Sequence, residues 1–255
     1  MRETRAGRHW AFAVSVVAVV PLLILPLWAV ADVWRAPALL PQRFGTRGVD
    51  WLTSPGARVA EAVTTSLVVA LIATVIGLVL AWPAARGLSE LDRRSRMLLL
   101  AALAAPLLVP PFATGTGMAT WFLQLGLADH LAGLVAAHLV YVLPYAVLVL
   151  APAFDDGLRR LEEAARTAGA GAAARLGLVT LPALARPLSL AALLGFLVSW
   201  SQYGTSLAVG GGRLTLPVVM LPFVDRDPQL TAVLSLIFLA PPLMALAAVH
   251  SLWRR

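Results

Sequence analysis

The 255-residue chain contains no cysteine and no lysine, and only 13% of its residues are charged, about half the share of an average soluble domain. Without cysteine there is no disulfide scaffold, no zinc–thiolate or iron–sulfur site and no thiol nucleophile, and no metal-binding site is expected. The pattern GxxxxGK[ST] is missing as well, so the usual phosphate-cradling loop for ATP is absent. The run Gly210-Gly211-Gly212-Arg213 lacks its Lys-Ser/Thr ending and reads as a flexible outer turn. The scarcity of charge leaves 60% hydrophobic residues, which excludes a water-soluble enzyme built on one globular core. All 20 basic residues are arginine, against 13 acids, for a net charge of +7. They sit in short clusters between apolar runs rather than along one groove-facing helix. They are therefore read as topology signals, and nucleic acid is not an expected partner.

A helix needs about 20 mostly apolar residues to cross a hydrocarbon core. Six such runs free of acids and arginines appear, near Trp10–Ala31, Val63–Ala85, Met97–Leu127, Leu131–Ala151, Pro187–Val209 and Leu230–Leu252. The expected fold is all-α: a polytopic membrane protein of six spans forming one domain over residues 1–255. The third run is too long for one straight helix, and Pro106, Pro110 and Pro111 are expected to break or bend it. Most arginines fall on the side that holds both termini, while Arg35, Arg43, Arg47, Arg58, Arg213 and Arg226 fall on the other. The excess of basic residues places both termini in the cytoplasm. The first run has basic residues before it and Ala29-Val30-Ala31 at its end, so a cleaved signal peptide is the alternative to a retained helix.

Within the runs the only groups that titrate near neutral pH are His138 and His250. A proton- or sodium-driven carrier commonly binds its ion on a carboxylate at membrane depth, and a membrane enzyme needs a clustered catalytic set; neither is visible. A path without energy coupling invites an energy source on another polypeptide. Polarity without charge is present: Ser199, Gln202, Tyr203 and Ser206 recur at i, i+3, i+4 and i+7, which predicts one face of the fifth helix. Helix–helix glue and a solute pathway both satisfy that spacing. His138, Tyr141 and Tyr145 repeat the pattern on the fourth helix, where a histidine capping a hydrogen-bond network is the plainer reading. Trp200 and Tyr203 are candidates to stack on a cation or aromatic ring, against packing for the tryptophan.

Between the fourth and fifth spans lies the longest inner loop, residues 152–186. Glu162 and Glu163 are expected at the start of a short helix, Gly169 and Gly171 at a bend, and Ala172–Leu178 in a second short helix that Pro182 stops. Glu163-Ala164-Ala165, then three residues and Gly169, then nine residues and Val179, Leu181 and Pro182, satisfy every fixed position of a known signature. The loop thereby resembles that of the inner-membrane permease subunits of binding-protein-dependent ABC importers. The likeness extends over about residues 60–252, through the second span and the text SWSQYGTSLAVGGGRLTLPVVM.

The resemblance implies a non-enzymatic transport subunit in the bacterial inner membrane, without a cofactor of its own. Its loop is implied to be a coupling helix that meets a cytoplasmic ATPase, which binds the ATP, through Glu163, Ala164, Ala165, Gly169, Leu181 and Pro182. Ser199, Gln202, Tyr203, Ser206, His138 and Tyr141 are the candidate pathway residues. A second permease subunit, identical or not, and an external solute-binding protein are the other implied partners. The solute is of the class handled by thiamine, ferric-iron, polyamine or sulfate-type permeases. An ion-coupled secondary transporter or channel is the alternative.

Overall fold

The computed structural model describes residues 5–254, and Arg2 and Arg255, which enter the orientation bias, lie outside the described residues. The chain forms two compact units, one comprising the chain up to Val59 with Val219–Pro241, the other Ala60–Val218 with the chain from Pro242 on. The architecture is almost entirely helical; a short two-stranded ribbon is the departure from the all-α expectation.

In the first unit, helix α1 (Arg5–Ala29) leads into β1 (Ala31–Val33), which pairs antiparallel with β2 (Arg43–Phe44) and is followed by α2 (Arg47–Leu52). Ala29, Ala232 and Val233 form its buried core with Trp28 and Leu52 against them. Arg47 grips both carboxylate oxygens of Asp227 at 2.6 and 2.9 Å. The buried Gln229 amide donates to Asp32 Oδ1 and to the carbonyls of Ala29 and Gly45, fastening the ribbon.

The second unit contains α3 (Val59–Ser89), α4 (Arg93–Ala104), α5 (Pro111–Gln124), α6 (Leu131–Leu150), α7 (Asp156–Thr167), α8 (Ala172–Arg175), α9 (Leu181–Ala183), α10 (Ala185–Trp200), α11 (Gly204–Val209) and most of α12 (Leu216–Met220). Helix α13 (Pro228–Trp253) starts in the first unit and ends in the second. Asp92 caps α4 by accepting from the backbone N–H groups of Arg94 and Ser95. Small residues Ala81, Ala85, Ala146 and Ala191 pack with Leu150 and Leu184, which lets helix backbones approach without a large hydrophobic driving force. Trp82 and Phe154 close that core edge to face, with centroids 5.4 Å apart.

Among the described residues, four helices are long and apolar enough to cross a membrane, or five if the bent pair Arg93–Leu108 and Pro111–Gln124 is one span. The protein is thus a multi-pass membrane protein. The bend is 94°, and the prolines cause it. Val109 precedes Pro110 and Pro110 precedes Pro111, and the steric demand of each following ring drives both into extended backbone, ψ 132° in each case. Pro111 then opens α5, where a missing N–H costs nothing.

Candidate functional site

The loop carrying the signature starts with Asp155, whose carboxylate accepts from Leu158 N–H and caps α7. That cap moves the helix start to Asp156. Glu162 and Glu163 lie well inside α7, not at its beginning as the sequence suggests. Helix α7 ends in a Schellman motif: Gly169 N–H bonds to Arg166 O and Ala170 N–H to Ala165 O, with Gly169 at φ +86°. The glycine of the signature therefore has a backbone reason, because this left-handed position is strained for any residue with a Cβ.

Gly171 caps α8, and a π turn (Leu176–Thr180) joins it to α9 and α10. Pro182 does not stop the second helix; Ala172–Trp200 runs on as one span-length helix of 29 residues. The π turn shifts the hydrogen-bond register so that Pro182 falls in the first turn of α9, where its missing N–H is tolerated.

Of the signature residues, Glu163, Ala164, Gly169, Leu181 and Pro182 are exposed and Ala165 is half-buried. Leu161 and Leu178 are exposed beside them, Leu178 at 79%. Next to the signature, Glu162 has side-chain partners, although the sequence places it in the helix without giving it a role. Arg86 Nη2 donates to its Oε2 at 2.7 Å and Arg86 Nη1 to its Oε1 at 3.3 Å, while the Thr180 hydroxyl donates to Oε1 at 2.6 Å. Burial pushes its carboxyl up, but the hydrogen bonds from Thr180 and Arg86 and the nearby guanidinium charges outweigh that, so it titrates below the usual carboxylate range. A cavity of about 360 Å³ beside it is lined by Arg86, Arg159, Arg166, Arg175 and Glu163. The sequence did hold a signal: Leu158, Glu162 and Ala165 recur at i, i+4 and i+7, the inward face of α7.

The polar stripe is not one helix face. Helix α10 ends at Trp200 and a new helix, α11, starts at Gly204. A Cβ on Gly204 would stand 2.6 Å from the backbone nitrogen of Phe112, so the α5 backbone approaches the start of α11 too closely for any residue but glycine. The break brings Ser199 and Ser206 to opposite sides of the buried imidazole of His138, at 2.8 Å from Nδ1 and 3.0 Å from Nε2. Ser206 donates its single proton to Gln202 O at 2.7 Å, so it must accept from His138 Nε2–H, and Nδ1 accepts from the Ser199 hydroxyl. For the neutral imidazole this is the Nε2–H tautomer.

Gln202, Tyr203, Tyr141, Tyr145, Ser201 and Phe112 line a separate cavity of about 440 Å³, whereas His138, Ser199 and Ser206 do not line it. Gln202 Oε1 accepts from Thr205, and the buried Tyr141 hydroxyl has no hydrogen-bond partner. Trp200 is buried and stacked on Phe196, so it packs and does not face a solute. The Gly210–Gly212 turn, expected to be flexible, is tied down: Asp129 accepts from Gly212 N–H and from Arg213 Nε.

No family model matches the chain. The chain is 32% identical to a putative ABC transporter permease protein of Streptomyces antibioticus, over 66% of its own length and 74% of the relative's. It is 35% identical to the molybdenum transport system permease protein ModB of Azotobacter vinelandii, over 59% of its length and 72% of the relative's. Its fold matches a chain in the crystal structure of a bacterial ABC transporter that imports the acidic polysaccharide alginate, with a TM-score of 0.72 over 98% of this chain and 99% of that one at 16% identity. With the signature loop formed as a capped helix, a glycine turn and a helix continuing through Pro182, the chain belongs to the permeases of binding-protein-dependent ABC importers.

Proposed function

We propose that the chain is the membrane-spanning subunit of an importer whose ATP is hydrolysed by a separate cytoplasmic ATPase. The observation that carries this reading is the exposed rim of the signature loop, where Glu163, Ala164 and Gly169 stand beside Leu161 and Leu178. An apolar and small-residue rim of this kind, on a helix anchored from its inner face, offers a partner a firm contact surface. A second permease subunit and an external solute-binding protein complete the proposed assembly. The chain is proposed to cross the inner membrane six times, α1 included, with both termini inside.

The cavity beside Tyr141 is proposed as part of the solute path. No carboxylate or guanidinium lines it, and Gln202, with its oxygen already engaged by Thr205, has its amide N–H groups left to offer. Groups that donate without carrying charge suit brief contact with a sulfate-type oxyanion, and the Azotobacter relative is named for molybdenum transport. Selectivity is assigned mainly to the binding protein. Purification of the native chain from its own membrane tests the reading: an ATP-hydrolysing subunit is expected to come with it, and molybdate or sulfate uptake to require ATP. Uptake that persists in the isolated chain would overturn it in favour of an ion-coupled carrier or channel.

A further inference from the structure

Glu162 lies outside the fixed positions of the signature, yet one carboxylate ties three segments together. Arg86 belongs to the last turn of α3, and Thr180 is the last residue of the π turn that feeds α9 and α10. Thr180 is 2% exposed, and its hydroxyl lies 2.6 Å from Glu162 against 3.3 Å from Arg175 O, so its proton goes to the carboxylate. The bonds are charge-assisted and the Arg86 arm is a two-point fork, which fixes direction as well as distance. A π turn inside a span is a weak point of the helix ladder, and such turns recur at functional sites. Here the weak point is braced from outside by the same carboxylate that orients α7.

We infer that Glu162 is a positioning residue that clamps the loop helix α7 to the end of α3 and to the base of α10, so that a push on α7 moves both spans as one body. This inference rests on the coupling role proposed above for the loop. Without the clamp, α7 would be held on its inward face chiefly by Leu158, and the π turn would absorb displacement instead of passing it on.

Hydrogen exchange on the full-length chain, free and in its ATPase complex, tests this without knowledge of the solute. Glu162→Gln keeps the shape and removes the charge. Amide protection over residues 158–167 is expected to fall about tenfold, while residues 142–147 of α6 stay as in the parent chain. Thr180→Val cuts only the α10 arm, and Thr180→Ser is expected to restore it. In the complex, ATP with vanadate is expected to change protection in residues 78–86 and 181–191 of the parent chain. Glu162→Gln should lose that change in both stretches and Thr180→Val in residues 181–191 alone, while ATP hydrolysis continues. Native exchange over 158–167 in Glu162→Gln, or an intact nucleotide response in both variants, would overturn the clamp. If the parent chain shows no nucleotide response, the coupling reading fails, and the nucleotide-free comparison still decides whether Glu162 braces the loop.

Discussion

At the residue scale, three side chains allow separate tests. Gly169 sits at φ +86° with open space around the site of a Cβ, so a larger side chain strains the backbone and does not clash. Gly169→Leu is expected to cost about 1–2 kcal/mol locally and to fray the end of α7. Transport should be abolished while the protein still inserts; normal uptake in that variant would remove the turn from the coupling path. In the His138 node, Ser206 makes two hydrogen bonds and Ser199 one. Ser206→Ala should therefore lower the thermal midpoint in detergent more than Ser199→Ala, each stranded buried group costing roughly 1–3 kcal/mol. The reverse order would contradict the assigned tautomer. Tyr141 differs from both, because its hydroxyl is buried without a partner. Tyr141→Phe is expected to leave stability unchanged or slightly raised. A fall in uptake at full stability would then mark the hydroxyl as a solute contact, and unchanged uptake would return it to packing.

At the element scale, the loop helix should respond to acid. The Glu162 carboxyl titrates below its ordinary range in the folded protein, so the folded state holds fewer protons there than the unfolded state. Its stabilising contribution is complete above the unfolded value, near pH 4.3, and is lost as pH falls through the folded one. Amide protection over α7 is expected to drop below about pH 4 in the parent chain, and Glu162→Gln should flatten that step. A step that survives in the variant would assign it to another acid. The elements themselves were unevenly legible in sequence. The prolines announced the α4–α5 break, because a missing N–H and a crowded preceding residue act locally. The signature announced the glycine turn for the same reason. The α10–α11 break was not legible: the α5 backbone packs against Gly204 at the start of α11, a contact far away in sequence. Spacing alone put Ser199 and Ser206 on one helix face, and the break instead joined them through His138. Pro182 misled in the opposite direction, because the π turn that accommodates it has no composition of its own.

At the scale of the whole molecule, orientation can be tested directly, and the missing cysteines make the test free of background. In the proposed orientation the loop of α7 and α8 faces the cytoplasm and the α5–α6 turn faces outside. Leu178 is 79% exposed in the loop, and His130 is exposed at the start of α6 with no side-chain capping bond. In intact cells, His130→Cys is expected to react with a membrane-impermeant maleimide and Leu178→Cys to react only after the inner face is opened. The proposed ATPase contact adds a second condition, because a partner seated on the rim should slow labelling at Leu178→Cys in the complex and leave it fast in the stripped chain. Labelling of Leu178→Cys from outside would invert the topology and remove the loop from any cytoplasmic motor. Equal rates with and without the ATPase would leave the topology standing and move the contact to another surface.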